Sequence, residues 1–599
     1  MVKIGIEIHQ RLDTKKLFCD CQSTLSEDEK PLSIVKRTLH PVFSELGEVD
    51  EASQAEFAKG RQFEYQTFHS NDCLIELDEE PPKTINMEAL KIALVVAMHL
   101  NATPLNEVHI MRKMVIDGSN TSGFQRTAIV AMNGHLDTSR GTVHIPIIAI
   151  EEESAGIVSN SESKATYRLD RLGIPLIEIS TAPDIKDGAH LSEVAEKIGL
   201  ILRTSGKVAR GLGTIRQDVN ISTDGGARVE IKGAQDLKLL PQLVENEVNR
   251  QLEIVRILNL LRNSGVMPLK KNTRDLSSLF KNTNAPLILS GLKNGYSIIA
   301  QKFPAHKSIL GIQIQPGKRY GTELSDYAKR AGVKGIIHSD EDFAKYGISE
   351  QEFISIKKAL DAADSDAFIM VVAPKDQAER AIDYALERAN INGVPPETRR
   401  ANPDATSSYM RPLPGRARLY PETDVPPIPL TNEILGSLEK GESLDDKIER
   451  LETLLNKDMA TIMLKSRNLH LFDKLIVMGL DPIIVATTLE NSVVSLRREG
   501  IDFSDLEKSM VELFSEYKKG TFVKAAIPEV LKYMAKGARV DAVIKVYRLQ
   551  KITGKDLEKL VAENGCNVAV IMQKYRLQVD PAEVNEIAKR KRCEPSEYG

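Results

Sequence analysis

The hydrophobic period of this chain changes once, near residue 440, and that change limits its folds more than any other feature. Before it, apolar residues often alternate, as in "IGIEIHQRL" (4–12): Ile4, Ile6 and Ile8 fall on one face, and Gly5, Glu7, His9 and Arg11 on the other. After it, the spacing is helical and no comparable strand signal follows. The pattern predicts an α+β protein with a sheet-based N-terminal part and an all-α C-terminal part. At 599 residues the chain exceeds what one hydrophobic core organises, so several domains are expected.

Residues 1–275 read as strands broken by turn chemistry, with helices at 87–100 and 191–206. This predicts a cradle built on a largely antiparallel sheet with flanking helices. From 276 to 399, short β-runs ("YSIIAQ", "GIIHS", "AFIMVVA") alternate with amphipathic helices ("ELSDYAKRAG", "EQEFISIKKALDAA", "QAERAIDYALERANING"), the pattern of a separate α/β unit inserted into the chain. The stretch 399–430 is rich in Pro and Arg, has no helical period and is too long for an ordinary linker, so it is either disordered or functional. Residues 400–440 are grouped with the first 275. Residues 441–520 and 521–599 are expected to form two helical domains.

No run approaches the ~20 apolar residues that cross a bilayer, and "MVKIGIEIHQ" lacks the apolar centre of a secretory signal. A cytoplasmic protein with no membrane contact is expected. Five scattered cysteines, an odd number, argue against a disulfide framework and for reduced thiols. The net charge of −4 conceals an asymmetry: residues 517–593 hold 17 Lys and Arg against 8 Asp and Glu. Only this tail has the balance of a polyanion binder. Its exposed candidates are Lys536, Arg539, Lys545, Arg548 and the run Lys589, Arg590, Lys591 and Arg592; a solvated helical surface has the same composition.

The wet side of one alternating strand is unremarkable, so repetition is the test. "VHIPIIAI" runs into Glu151, Glu152 and Glu153, and "IPLIEIS" carries Glu178 in an apolar run, where an unpaired charge costs several kcal/mol. "TIRQDVNIS" sets Arg216, Asp218, Asn220 and Ser222 opposite Val219 and Ile221, and "RVEIKG" sets Arg228, Glu230 and Lys232 opposite Val229 and Ile231. Five strands thus offer acids, a His, Arg, Asn and Lys from one sheet. Carboxylates around one His suit a hard cation bridging nucleotide phosphates, and nearby Arg and Lys suit a transferring phosphoryl group. The turn-rich "RKMVIDGSNTSGFQRT" (112–127) offers Arg112, Lys113, Ser119 and Ser122 to a phosphate or an RNA end; a surface hairpin is the plain alternative. Cys19 and Cys21 form a C-x-C to which only Cys73 adds a distant thiol, leaving a structural zinc or reduced thiols in a turn as readings. No P-loop, dinucleotide fingerprint, H-E-x-x-H or nucleophile elbow occurs.

In order, "IGIEIHQRLDTKKLFCDC", "RKMVIDGSNTSGFQRT", "IAIEEESAG", "YRLDRLGIPLIEISTAPD", "IRQDVNIS", "RVEIKGAQDL" and "YMRPLPGRARLYPETDVPP" resemble the signature blocks of the B/E subunits of tRNA-dependent amidotransferases. The wording "DGSNTSGFQRT" and the insertion, which in the E branch is similar to a domain of bacterial-type aspartyl-tRNA synthetases, point to the archaeal E branch. The resemblance implies ATP- and Mg²⁺-dependent phosphorylation of the side-chain carboxylate of glutamate misacylated on tRNA(Gln), followed by displacement of phosphate by ammonia. It implies His9, Glu151 and Glu178 as catalytic metal ligands, with Glu7 and Glu152 close by. Arg216, Asp218, Asn220 and Lys232 are implied at ATP or phosphate, and Arg112, Lys113, Ser119 and Ser122 at the aminoacyl end. The chain shows no glutaminase nucleophile, so the ammonia source implied is a partner, an asparaginase-like D subunit, with two copies of each chain. The bacterial B branch pairs its C-x-C with a later C-x-x-C, of which only Cys73 remains here. Two competing readings are a class II aminoacyl-tRNA synthetase relative and a non-catalytic tRNA-binding scaffold.

Overall fold

A computed structural model describes residues 2–591 apart from 27–28, 43–46, 48, 59, 70, 162, 206, 414 and 416–417. The chain divides into two compact units, 1–440 and 441–599.

The first unit is organised by an 11-stranded sheet. Ten of its strands are labelled here: β1 (Lys3–Arg11), β2 (Met111–Met114), β3 (Phe124–Thr138), β4 (Gly141–Glu152), β5 (Pro175–Ser180), β6 (Ile215–Ser222), β7 (Val229–Lys232), β8 (Glu397–Ala401), β9 (Ser407–Pro412) and β10 (Leu419–Pro421). Their spatial order is β9-β8-β7-β6-β1-β5-β4-β3-β2-β10, and the short strand Thr103–Pro104 pairs with β3 off this path. All pairs are antiparallel except β7 with β8, as the alternating pattern predicts.

Ile4, Ile6, Ile8, Ile177, Ile179, Val219 and Ile221 are buried. Full burial of each such side chain contributes roughly 1.5–3 kcal/mol. Three helices pack on this sheet: α1 (Met87–His99), α2 (Gly188–Thr204) and α3 (Leu240–Asn263). Asn86 caps α1, its Oδ1 accepting from the N–H groups of Glu88 and Ala89 at 3.0 and 3.2 Å. Asn101 ends the same segment with φ of +53°.

The Pro/Arg-rich stretch 399–430 is neither disordered nor a linker where it is described. It supplies β8 and β9 at one edge of the sheet and then β10, which pairs with β2 at the other. Backbone pairing at both edges explains why it lacks an amphipathic period: its partners lie far away in sequence.

The insertion contains the expected runs, with strands at Ser297–Phe303, Ile337–His338 and Ala367–Ala373 and helices α4 (Tyr320–Ala328), α5 (Glu350–Ala359) and α6 (Lys375–Asn390), and the strand Thr273–Asp275 just before it pairs with Ser297–Phe303. Its four-stranded sheet is antiparallel throughout, so its topology is α+β rather than the α/β expected. It shares a buried ion network with α3 and β8. Arg250 of α3 reaches Glu247 at 2.9 Å, Glu323 at 2.8 Å and Glu397 at 3.2 Å. Arg388 reaches Glu323 at 3.0 Å, and Arg399 reaches Glu397 at 2.7 Å and Glu323 at 3.3 Å.

The second unit is helical. The helix Leu506–Lys518 packs on Ile527–Met534 and Val540–Val546, so packing crosses the boundary expected at 520. A separate cluster, Leu557, Val561, Ile571, Val579 and Val584, holds the last three helices together. Among the described residues no helix is long and apolar enough to cross a membrane. Cys19, Cys21 and Cys73 are free thiols as expected. Cys566 is disulfide-bonded rather than reduced. Cys593 lies outside the described residues.

Candidate active site

Register brings the site together. On β1, His9 stands opposite Glu178 of β5 on one side and Arg216 of β6 on the other, while Glu7 stands opposite Ser180 and Asp218. On β4, Glu151 stands opposite Thr127 of β3 and Leu176 of β5. Directly opposed residues of an antiparallel pair share a face, so His9, Glu151 and Glu178 converge. His9 Nε2 lies 3.6 Å from Glu151 Oε1 and 3.5 Å from Glu178 Oε2. Lys113 of β2 completes the group, its Nζ 2.9 Å from Glu151 Oε2 and 3.6 Å from Glu178 Oε2.

The electrostatics follow. Burial opposes charge on His9, but its hydrogen bond to Glu178 and the Glu178 and Glu151 carboxylates push the imidazole up to about 9. Burial likewise works against the Glu178 carboxylate, yet Lys113 and His9 hold it well below its ordinary range. Glu7 is pushed up to about 7 by burial and by the neighbouring Glu178 and Glu230 carboxylates; Asn220 Nδ2 donates to its Oε1 at 3.1 Å.

Two further charge groups flank this centre. Lys232 bridges Asp218 at 2.7 Å and Glu230 at 2.5 Å. Glu153, fully buried, is shared by Arg11 at 2.8 Å, Arg216 at 2.6 Å and Arg171 at 3.9 Å. Burial resists its ionisation, but these guanidinium groups keep the carboxyl below its usual range.

Not every expected residue joins. Glu152 is turned away from His9 by the alternation of β4, and its carboxylate accepts from the backbone N–H of Arg126 at 3.1 Å. Arg112 alternates away from Lys113 and binds Glu422 and Asp424. Ser119 and Ser122 are half-buried in the 117–123 turn; Ser122 Oγ donates to Phe124 O at 3.0 Å. Gly118 has φ of +90° and a Cβ there would meet Phe63 Cδ1 at 2.3 Å, so this turn requires glycine. Lys536, Arg539, Lys545, Arg548, Lys589, Arg590 and Lys591 are exposed in the second unit, with Arg539 paired to Asp541 and Arg590 to Glu558. Arg592 lies outside the described residues. Sequence reasoning missed the Glu153 cluster with Arg11 and Arg171; Lys113, expected at the aminoacyl end, stands beside Glu151 and Glu178. The signal for Arg11 was present, because it shares the β1 face of His9.

A family model described as the GatB/GatE catalytic domain matches residues 2–436. The chain belongs to the GatB/GatE family. Its relatives include a Pyrococcus furiosus protein named as the E subunit of glutamyl-tRNA(Gln) amidotransferase, 44% identical over 94% of this chain and 90% of the relative. One of the same name from Methanocaldococcus jannaschii is 44% identical over 94% and 91%, and one from Thermococcus sibiricus is 42% identical over 98% and 97%. All strands of the central sheet, and with them the His9–Glu151–Glu178–Lys113 group, fall inside the span matched by the GatB/GatE model.

Proposed function

We propose that this chain is the tRNA-dependent kinase and amide-forming subunit of a glutamyl-tRNA(Gln) amidotransferase, with its chemistry in the cradle around His9. The observation that carries this reading is the convergence of Glu151 and Glu178 on His9 and Lys113. One ligand atom from each of His9, Glu151 and Glu178 lies within 4.8 Å of the others. A cation bound at ~2.1 Å to each would need ligand separations of roughly 3–4 Å, which the 3.5 and 3.6 Å distances meet. Two carboxylates suit Mg²⁺, and the imidazole, which would give up its proton as the ion binds, would be the third ligand. Held by His9, Glu151 and Glu178, Mg²⁺ would supply the positive charge that phosphoryl transfer from ATP requires.

The chain's own residues do the rest. Lys113, whose ammonium reaches both carboxylates, lies where it can also meet a transferring phosphoryl group. Arg216 and Lys232, with Asp218 and Asn220 orienting the groups around them, face the nucleotide phosphates. The glutamyl carboxylate oxygen attacks the γ-phosphorus and ADP leaves; ammonia then attacks the carbonyl carbon and phosphate leaves, giving the amide. The largely buried side chains of His9, Glu151 and Glu178 keep bulk water from the acyl phosphate. The ammonia comes from a partner, an asparaginase-like D subunit, in an assembly with two copies of each chain. The basic tail holds the outer part of tRNA(Gln), and the insertion is a domain of the kind found in bacterial-type aspartyl-tRNA synthetases.

Product analysis tests the reading. With Glu-tRNA(Gln) and Mg²⁺, the chain is expected to release ADP and phosphate, and Glu178→Ala to abolish that release. AMP and pyrophosphate would instead indicate a synthetase, and unchanged turnover in the variant a tRNA-holding scaffold.

A further inference from the structure

Outside the central sheet, the insertion is hollowed by a cavity of about 430 Å³, a size typical of sites for small organic ligands. Phe353 and Lys357 reach it from α5, four residues apart and so on one helix face. Lys307 reaches it from the loop after Ser297–Phe303, and Arg319 from the start of α4. Phe353 is half-buried against the core of the insertion, its ring centroid 4.9 Å from that of Phe343 and 5.6 Å from that of Phe368. It is an aromatic wall that is held in place and still partly open.

The charges around this wall are unequally satisfied. Asp366 accepts from the backbone N–H groups of Ala305 and Ala363, both at 3.0 Å, and so serves the loops. Lys357 meets only the exposed Asp364, at 2.9 Å, a surface pair that solvent screens. Lys307 and Arg319 are exposed and form no ion pair among the described residues. Asp340 Oδ2 accepts from the Gly311 N–H at 3.0 Å, which leaves Oδ1 unengaged among the described residues. The loop carrying Lys307 is also strained: Ala305 and Ser308 have φ of +54° and +63°, conformations that cost non-glycine residues energy and concentrate at ligand clamps.

We propose that this cavity binds a nucleoside 5′-phosphate. The base lies against Phe353, its exocyclic amine donates to Asp340, and the phosphate accepts from Lys307, Arg319 and Lys357. A bare anion would leave the aromatic wall unused and meet Asp340 as a like charge, and an apolar ligand would leave three cations unmatched. A ring with an amine at one end and a phosphate at the other answers all three features. A free nucleotide and an unstacked nucleotide of an RNA offer this same chemistry.

The test is calorimetric titration of the full-length chain with AMP in EDTA, together with photolysis of bound 8-azido-AMP and mapping of the labelled peptides. Without Mg²⁺ the His9 centre is out of play, so failure of the kinase reading leaves this result standing. The expected result is one saturable site, with label on the peptides that carry Lys307 or Phe353. Each charge-assisted contact to phosphate is worth roughly tenfold or more, so Lys307→Gln with Arg319→Gln is expected to weaken AMP by at least ~100-fold. Both side chains are exposed, and an unshifted urea midpoint checks that the double variant keeps the fold. Phe353→Leu, which keeps the core filled, is expected to weaken AMP ~5–10-fold through lost stacking. No saturable site, label confined to residues 1–275, or binding by the double variant within threefold of wild type overturns the site. Inorganic phosphate or glutamate competing as well as AMP does overturns the nucleoside assignment. If tRNA(Gln) displaces AMP and binds the double variant more weakly, the site takes a nucleotide of the RNA; if it leaves AMP bound, the ligand is a free nucleotide.

Discussion

Glu323 offers a sharp test of how the insertion is fixed to the cradle. It is almost fully buried and accepts from Arg250 at 2.8 Å, Arg388 at 3.0 Å and Arg399 at 3.3 Å. With Glu247 and Glu397 these form a balanced set of three acids and three arginines. Glu323→Gln keeps the volume but leaves one uncompensated positive charge in the interior, which costs about 3–5 kcal/mol. With a urea slope of about 3 kcal/mol per molar, the unfolding midpoint of the first unit is expected to fall by roughly 1–1.7 M. Because the strands lie in residues 1–440, the β-sheet part of the far-UV circular dichroism reports this transition. Arg388→Met combined with Glu323→Gln restores charge balance and is expected to recover at least half of the loss. A single-variant loss below 1 kcal/mol, or strictly additive losses in the pair, would refute a mutually compensating network. The pH dependence has a definite sign. Burial alone would raise the Glu323 carboxyl, but Arg250, Arg399 and Arg388 hold it far below its ordinary 4.5. Its contribution is therefore complete above about that value and is lost as pH falls toward the folded-state pKa, so wild type and Glu323→Gln are expected to converge only in strong acid.

Three further outcomes are expected. Lys113→Met is expected to lower tRNA-dependent ATP turnover by ~10²–10³ while leaving the Kd for tRNA unchanged; turnover within threefold of wild type contradicts its placement. Replacing Lys536, Arg539, Lys545 and Arg548 with Gln is expected to flatten the plot of log affinity for tRNA against log salt by ~0.7–0.9 for each phosphate no longer neutralised, about 3 in all. An unchanged slope removes the tail from the interface. Gly118→Ala forces both a positive φ and a clash with Phe63, and is expected to cost at least ~2 kcal/mol in urea unfolding; an unshifted midpoint would contradict the turn geometry.

The cradle was legible where periodicity is local. The alternation of β1 put Glu7, His9 and Arg11 on one face, and the same rule applied to "EEE" separates Glu151 and Glu153 from Glu152. Applied to "RK", it separates Lys113 from Arg112. What sequence could not show was register: that His9 meets Glu178, and that Lys113 arrives over Glu151 from another strand, depends on pairings between segments far apart in the chain. The edge strands in 399–430 were hidden for a related reason. Their stabilising partners are backbone groups at two opposite edges, which leave no periodic apolar signature.

The central claim is that phosphoryl transfer occurs at the His9 cradle. The most direct measurement is ADP release from γ-labelled ATP by the assembled enzyme with Glu-tRNA(Gln) and Mg²⁺, paired with tRNA affinity, for wild type, Glu151→Gln and Glu178→Gln. The account predicts that both variants lose ADP release by ~10² or more and bind the tRNA as wild type does. Retained ADP release in either variant, with unchanged tRNA affinity, would contradict it.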